Sequence, residues 1–147
     1  MKIMFEIIIR KAQFTDIGSV LEIEQESIGS WTYDQFLQEL KLEFSIFLIA
    51  ELQNSVAGYL IAWKVSDEIQ LNSIAVKKDL RKKGIGNRLL SELTLNDSEK
   101  KFTSIFIEVR SRNSDAVNFY TDNGFTKTGV RKNYYNDDDA LLMEKKL

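Results

Sequence analysis

The sequence predicts an α/β protein of the α+β mixed-sheet kind: a central mixed sheet of about seven strands with helices on both faces. Three observations lead there. Segments of two-residue apolar period and segments of helical period succeed one another as strand, helix, helix, three strands, helix, strand, helix, two strands. The 147 residues, 44% apolar and 29% charged, suit one core. No repeat, low-complexity tract or linker interrupts the chain, which has no proline, so residues 1–147 are expected to form a single domain.

Each element has its own reason. "FEIIIRKA" (5–12) is isoleucine-rich and reads as a buried strand; Thr15 or Asp16 then starts a helix with Ile17, Val20, Leu21 and Ile23 at helical spacing. Thr32 with Gln35 has capping-box spacing, and Phe36, Leu37 and Leu40 continue a short second helix. "SIFLIAEL" (45–52) and "SVAGYLIAWKV" (55–65) flank Gln53-Asn54 as a hairpin, and "EIQLNSIAV" (68–76) extends the meander. Ile85, Leu89, Leu90 and Leu93 mark the next helix; "SIFIEV" (104–109), after a polar turn, is a strand again. Ser114 or Asn113 caps a helix striped by Ala116, Val117, Phe119 and Tyr120, which Gly124 stops with Phe125 as its hydrophobic contact. "FTKTGVRKNYY" and "ALLMEKKL" close the chain as a hairpin around "NDDD".

Composition removes several chemistries. Without cysteine or histidine there is no disulfide, thiolate nucleophile, imidazole base or ordinary zinc site, so proton transfer falls to carboxylate, tyrosine, lysine or water. A net charge of -2 gives no global field to hold nucleic acid or an anionic membrane. "MKIMFEIIIRK" is broken by Glu6 and Arg10, and no apolar run approaches membrane length; a soluble cytoplasmic protein, by default a monomer, is expected.

Positive charge is dense in one place. Lys77, Lys78, Arg81, Lys82, Lys83 and Arg88 surround Gly84 and Gly86 at the head of a helix. Glycine lets backbone N–H groups approach a phosphate, and a helix start presents unpaired N–H groups, so the segment suits an anion. A solvated basic turn is the plain alternative. The dinucleotide fingerprint does not fit: Leu89 replaces its third small residue, and seven residues, Lys77 to Lys83, stand between the strand and the first glycine. No G-K-[ST] is present, which removes the ATP-type loop.

The stretch "EVRSRNSDAVNFYTDNGF" (108–125), with "SIAV" and "RKKGIG", resembles the GNAT superfamily of acetyl-CoA-dependent N-acetyltransferases. Arg81, Gly84 and Gly86 meet its pyrophosphate motif [QR]-x-x-G-x-[GA]; Glu108, Val109, Arg110, Asn113, Ala116, Tyr120, Gly124 and Phe125 match its downstream pattern at fixed spacing. Within the superfamily, Trp31, "EVRSRN" and "RKNYYNDDDALLM" are most similar to the RimI group, which acetylates the N-terminal alanine of a small-subunit ribosomal protein, and to archaeal and eukaryotic N-terminal acetyltransferases. Ser30 stands where that group often has proline, and the "YYNDDDA" turn lacks glycine.

The resemblance implies the acyl-CoA N-acyltransferase fold, acetyl-CoA as cosubstrate, no metal, and a protein or peptide N-terminus as acceptor. It implies that the backbone of Ile74, Ala75 and Val76 bonds the pantetheine and thioester carbonyl, that Arg81, Lys82, Lys83, Gly84, Ile85, Gly86 and Asn87 wrap the pyrophosphate, and that Asn113 bonds the cofactor's arm. Tyr120 is implied as general acid to the thiolate, beside the cofactor, with Trp31 across a groove from Tyr134 and Tyr135 around the acceptor.

Glu108 is the candidate general base. It shares a strand face with Phe106 while Ile105, Ile107 and Val109 take the other, so partial desolvation is expected to raise its pKa. The plain alternative pairs it with Arg110 or Lys101; Tyr120, likewise, would be a core aromatic, and Tyr134-Tyr135 a packed cross-strand pair. Asp137 to Asp139 would attract a basic peptide or simply be solvated, and no metal site is expected there. An α-amine, with a pKa of about 7.7 to 8.0 against about 10.4 for lysine, needs less help to deprotonate. The competing functions are a GNAT acting on a small amine, lysine or antibiotic, and a non-catalytic acyl-CoA-binding module.

Overall fold

Gln53 and Asn54 turn the chain with φ of 54° and 64°, both left-handed as a two-residue hairpin of matching twist requires. They join β2 (Ser45–Leu52) to β3 (Ser55–Val65), paired antiparallel along their lengths. The computed structural model describes residues 6–27, 29–95 and 101–147; Phe5, read as part of the first strand, and most of the polar turn ahead of residue 104 lie outside them. The remaining strands are β1 (Ile7–Lys11), β4 (Glu68–Val76), β5 (Ser104–Arg110), β6 (Thr126–Tyr135) and β7 (Asp138–Lys146). They form one seven-stranded sheet in the order β1-β2-β3-β4-β5-β7-β6, antiparallel except where β4 meets β5.

The helices are α1 (Ile17–Gln25), α2 (Tyr33–Glu39), α3 (Ile85–Leu95) and α4 (Ser114–Asp122). Against one face, Leu89, Leu90 and Leu93 of α3 and Tyr120 of α4 pack with Leu48, Leu60, Leu71, Ile105 and Val109. Against the other, Ile17, Val20 and Ile23 of α1 and Phe36 of α2 pack with Phe47, Ile49, Tyr59 and Ile61. Alternate residues of β2 and β3 therefore enter different cores, which is why both strands read as continuous apolar runs rather than alternating ones. On that second face α1 and α2 are absent from the packing around β5, β7 and β6, and there the sheet opens into a groove.

The first strand is a correction. β1 pairs only with β2 and forms an edge, leaving Ile8 48% exposed. Ile7 and Ile9 reach the core, while the opposite face is bordered by Arg10, whose guanidinium grips Asp16 through two bonds of 2.7 and 2.8 Å and reaches Glu51 at 2.7 Å. Asp16 also accepts the Gln13 N–H at 2.7 Å, so it anchors the turn into α1 rather than capping the helix through its side chain.

Arg10 holds the Asp16 carboxyl below its ordinary range, with the Gln13 N–H acting in the same direction. A depressed folded-state pKa contributes stability above the unfolded value, near 4, and loses it as pH falls through the folded value. Asp16→Asn should cost about 1 to 3 kcal/mol at neutral pH, the deficit shrinking in urea unfolding repeated toward about pH 2; a deficit constant with pH would reject this assignment.

Local capping chemistry accounts for other boundaries. Thr32 Oγ1 accepts the Gln35 N–H at 3.2 Å and Gln35 Oε1 accepts the Thr32 N–H at 2.8 Å, closing the box that opens α2. Asn113 Oδ1 accepts the Ala116 N–H at 3.2 Å to open α4. The α4 exit is a Schellman motif: Phe125 N–H to Tyr120 O at 3.0 Å and Gly124 N–H to Thr121 O at 3.1 Å.

Candidate active site

The site begins with an extra residue. On β3, Ile61 and Ala62 are consecutive, yet they pair with Ser73 and Leu71 of β4, so Asn72 bulges. A bulge bends its strand and breaks the ladder locally. On its other side β4 pairs with β5 only from Glu68–Ser104 to Gln70–Phe106, after which the two parallel strands part. Ile74, Ala75 and Val76 thus stay bonded to β3 along one edge, while their other edge faces a gap.

At the end of that edge is the glycine and lysine loop. Lys82 has φ of 63° and Gly84 φ of 86°, and the space where a Gly84 side chain would begin is empty to 4 Å. At Gly86 a Cβ would meet the Phe119 ring at 3.2 Å, so this glycine lets α3 lie against α4. Arg88 N–H bonds Gly84 O at 3.0 Å, leaving the N–H groups of Ile85, Gly86 and Asn87 as the open start of α3. Lys82 and Lys83 are exposed with no ion pair among the described residues. The loop is a fit for a phosphate-bearing ligand: left-handed backbone, open space over Gly84, unpaired donors and exposed cations converge.

Not every expected contributor is free. Arg81 Nε donates to Val76 O at 3.1 Å, tying the loop to the strand. Asn87 Oδ1 accepts from Asn123 Nδ2 at 3.0 Å. The Ile85 side chain is core, 1% exposed, so only its backbone faces the loop. Asn113 spends Oδ1 on its cap and keeps its amide hydrogens.

Beyond the gap, the uncovered sheet face holds a cavity of about 620 Å³ lined by Glu68, Asn72, Glu108, Arg131, Tyr134 and Tyr135 among others. Glu108 lies two residues past the last β4–β5 pair, on the edge of the gap. Its side chain is 32% exposed and its partner is Arg131 Nη2 at 3.5 Å, not the Arg110 of the plain alternative. Arg110 instead bonds Asp137 at 2.8 Å and stacks 4.1 Å from the Tyr135 ring centre. Partial burial raises the Tyr135 phenol above its ordinary pKa, with Arg110 opposing. Tyr134 meets Tyr135 edge-on at 5.1 Å and is 53% exposed at the mouth. Asn72 Nδ2 is the one buried side-chain polar atom without a partner among the described residues.

Tyr120 is on the other face of β5. It is 6% exposed, in the apolar cluster with Ile107 and Val109 and between the rings of Phe119 (5.2 Å) and Phe125 (5.5 Å). Burial raises its pKa, which keeps the phenol protonated. Trp31 is half-buried, stacked on Phe36 at 5.1 Å and 18°, and is not part of the cavity lining. The acidic turn is used internally: Asp138 accepts from Ser111 Oγ (2.6 Å) and Arg112 N–H (2.9 Å), which hold its carboxyl below its ordinary pKa, and Asp139 accepts from Asn133 N–H (2.8 Å).

Arg131 and Asn72 were not singled out from sequence. Arg131 is a surface-type residue in a strand, without a local signal. Asn72 had one: apolar positions fall on odd numbers through Ile69 and Leu71 and on even numbers at Ile74 and Val76, a change of phase that marks a bulge.

Residues 43–127 match the acetyltransferase (GNAT) domain family. The chain is 36% identical over 139 residues to a putative ribosomal protein bS18-alanine N-acetyltransferase of Bacillus subtilis, covering 92% of each. It is 32% identical over 151 residues to an N-alpha-acetyltransferase of Sulfurisphaera tokodaii, covering 92% of this chain and 90% of the other. The crystal structure of the ribosomal-protein-S18-alanine N-acetyltransferase of Escherichia coli superposes with a TM-score of 0.86 at 27% identity, over 96% of this chain and 94% of that one.

Proposed function

The chain belongs to the GNAT family of N-acetyltransferases, and from that footing we propose that it transfers the acetyl group of acetyl-CoA to the N-terminal α-amine of a protein. The names of its bacterial and archaeal relatives support this acceptor class, with the N-terminal alanine of a small-subunit ribosomal protein as the leading candidate and the cytoplasm as the place of action. The observation that carries the reading is the parting of β4 from β5 after Gln70–Phe106, with Glu108 on one side of the gap and the open phosphate loop at its end.

Acetyl-CoA supplies an activated acyl thioester. The start of α3 with Lys82 and Lys83 binds its phosphates by charge-assisted bonds. Main-chain groups of Ile74, Ala75 and Val76 fix the pantetheine and polarise the thioester carbonyl. Glu108 takes the proton of the incoming ammonium, directly or through one water, and the freed amine attacks. As the C–N bond forms and the C–S bond breaks, Tyr120 gives its proton to the departing thiolate and is reprotonated, through water, by the second proton that the acylated nitrogen releases, so coenzyme A leaves as the thiol. Tyr134 and Tyr135 border the acceptor's entry, with Trp31 completing the frame from outside the cavity lining.

The test is a panel of short peptides differing in first residue, each also with a blocked N-terminus and a free lysine, alongside small amines, scored by mass for one acetyl gain. Acetylation only of free N-termini is expected; gain on blocked peptides or small amines moves the chain to another GNAT acceptor class, and no gain anywhere, with acetyl-CoA still bound, leaves a binding module. Replacing Lys82 and Lys83 together by alanine should weaken acetyl-CoA binding about tenfold, at roughly 0.2 to 1 kcal/mol for each exposed lysine–phosphate pair, and change kcat much less. Calorimetry with acetyl-CoA checks this; unchanged affinity rejects the loop as the phosphate site.

A further inference from the structure

We propose that Glu24 is a positioning residue of the acceptor side, fixing the backbone of Ser30 and Trp31 ahead of α2 and tying it through Tyr59 to β4. The proposal rests on the acceptor reading above.

Glu24 is 3% exposed and has no cation partner among the described residues. A carboxylate so placed is costly unless its oxygens are satisfied. Here they are: Oε1 accepts the backbone N–H groups of Ser30 (3.0 Å) and Trp31 (3.3 Å), and Oε2 accepts the Tyr59 hydroxyl (2.8 Å). The donors lie six, seven and 35 residues away in sequence, so one side chain joins α1, the loop and the middle of β3.

The chain of bonds continues. Tyr59 is fully buried and its oxygen is 2.8 Å from Ser73 Oγ; with the phenol proton given to Glu24, the Ser73 hydroxyl donates to Tyr59. Ser73 directly follows the bulge residue Asn72 and precedes Ile74, Ala75 and Val76. A second, apolar route runs beside it: Trp31 stacks on Phe36, and Phe36 meets Tyr59 edge-on at 5.5 Å and 80°. Both routes from the acceptor loop end on Tyr59, and Tyr59 ends on the strand that borders the gap. The other buried carboxylate of the two helices, Glu39 of α2, is held separately by Ser45 Oγ at 2.6 Å and Trp63 Nε1 at 3.0 Å; the partners of Glu24 are two loop N–H groups and a hydroxyl.

The experiment compares Glu24→Leu and Glu24→Gln. Leucine keeps the volume and strands all three donors. Its acceptor KM should rise about tenfold or more, as small misplacements of a positioning element do, while acetyl-CoA affinity stays within about twofold. Glutamine should recover most of that loss: its amide oxygen serves the loop, its NH₂ donates to Tyr59, and the Tyr59 proton turns to Ser73. Tyr59→Phe, which removes the bonds to both Glu24 and Ser73 while leaving Ser30 and Trp31 bonded to Glu24, should also raise acceptor KM. A readout free of turnover is acrylamide quenching of Trp31 in a Trp63→Phe background, expected to increase in Glu24→Leu. Equal loss of acceptor and cofactor affinity, a Glu24→Gln as damaged as Glu24→Leu, or unchanged KM and quenching would each overturn the proposal. A wild type that acetylates some other amine rejects the acceptor assignment alone, and the same comparison is then read with that amine.

Discussion

Glu108→Gln should lower kcat by about 10² to 10⁴ while acetyl-CoA binding stays within about twofold, the range expected when a general base is removed. Glutamine preserves the shape of the side chain and the register of β5. The one ion pair it gives up, to Arg131 at 3.5 Å, joins side chains that are 57% and 32% exposed, and such pairs contribute little to stability. Thermal unfolding should therefore change slightly. Initial rates at saturating peptide and acetyl-CoA, with calorimetry for the cofactor, separate the two effects, and undiminished turnover would falsify the assignment of Glu108 as base.

Phe36→Ala should destabilise the fold by about 3 to 5 kcal/mol, the usual cost of emptying a buried aromatic site. Phe36 is fully buried and touches Trp31, Phe47 and Tyr59 at ring separations of 5.1, 6.2 and 5.5 Å. It carries a helix that cannot stand by itself, because α2 has seven residues and helices that short gain their stability from packing. Against a total stability of about 5 to 15 kcal/mol, the loss is large. Equilibrium urea unfolding should show a much lower midpoint; a shift worth under about 1 kcal/mol would mean that α2 is held by something other than this ring. In the surviving folded fraction Trp31 loses the surface it stacks on, so acceptor KM should rise as well.

What was legible in the sequence was local. The Thr32 and Gln35 box, the Gln53-Asn54 turn and the Gly124-Phe125 stop are each decided within a few residues, and each boundary follows from them. The element order and the mixed sheet with helices on both faces followed as well. The first strand was harder, because three consecutive isoleucines do not say whether both faces are covered; β1 is an edge, and Ile8 is left half out. The closing hairpin gave β6 and β7, yet nothing in its pattern places β7 rather than β6 against β5.

The site divides the same way. That residues 81 to 84 form an open basic loop ahead of α3 was legible, because glycine marks left-handed backbone and lysine stays exposed. That Arg81 and Asn87 are partly committed to Val76 and Asn123 was not, since those partners lie on other elements. Neither Arg131 beside Glu108 nor the links from Glu24 to Tyr59 and Ser73 leave a local trace. The three aspartates, read as drawing a basic peptide or being solvated, are bonded to Arg110, Ser111, Arg112 and Asn133, with Asp137 still 76% exposed. Their positions suggested charge for a substrate; their contacts brace the tyrosine turn.

Asn72 is surplus by count: β4 spends one residue there that β3 does not match. Whatever side chain stands at that position, the surplus sends Ser73 toward Tyr59 and leaves Ile74 and Val76 facing the opposite core. Loss of one residue from this strand would exchange those two faces in a single step. The segment is thus far more sensitive to a change in chain length than to a change in spelling, and insertions or deletions between 71 and 74 are the alterations the enzyme is least able to absorb.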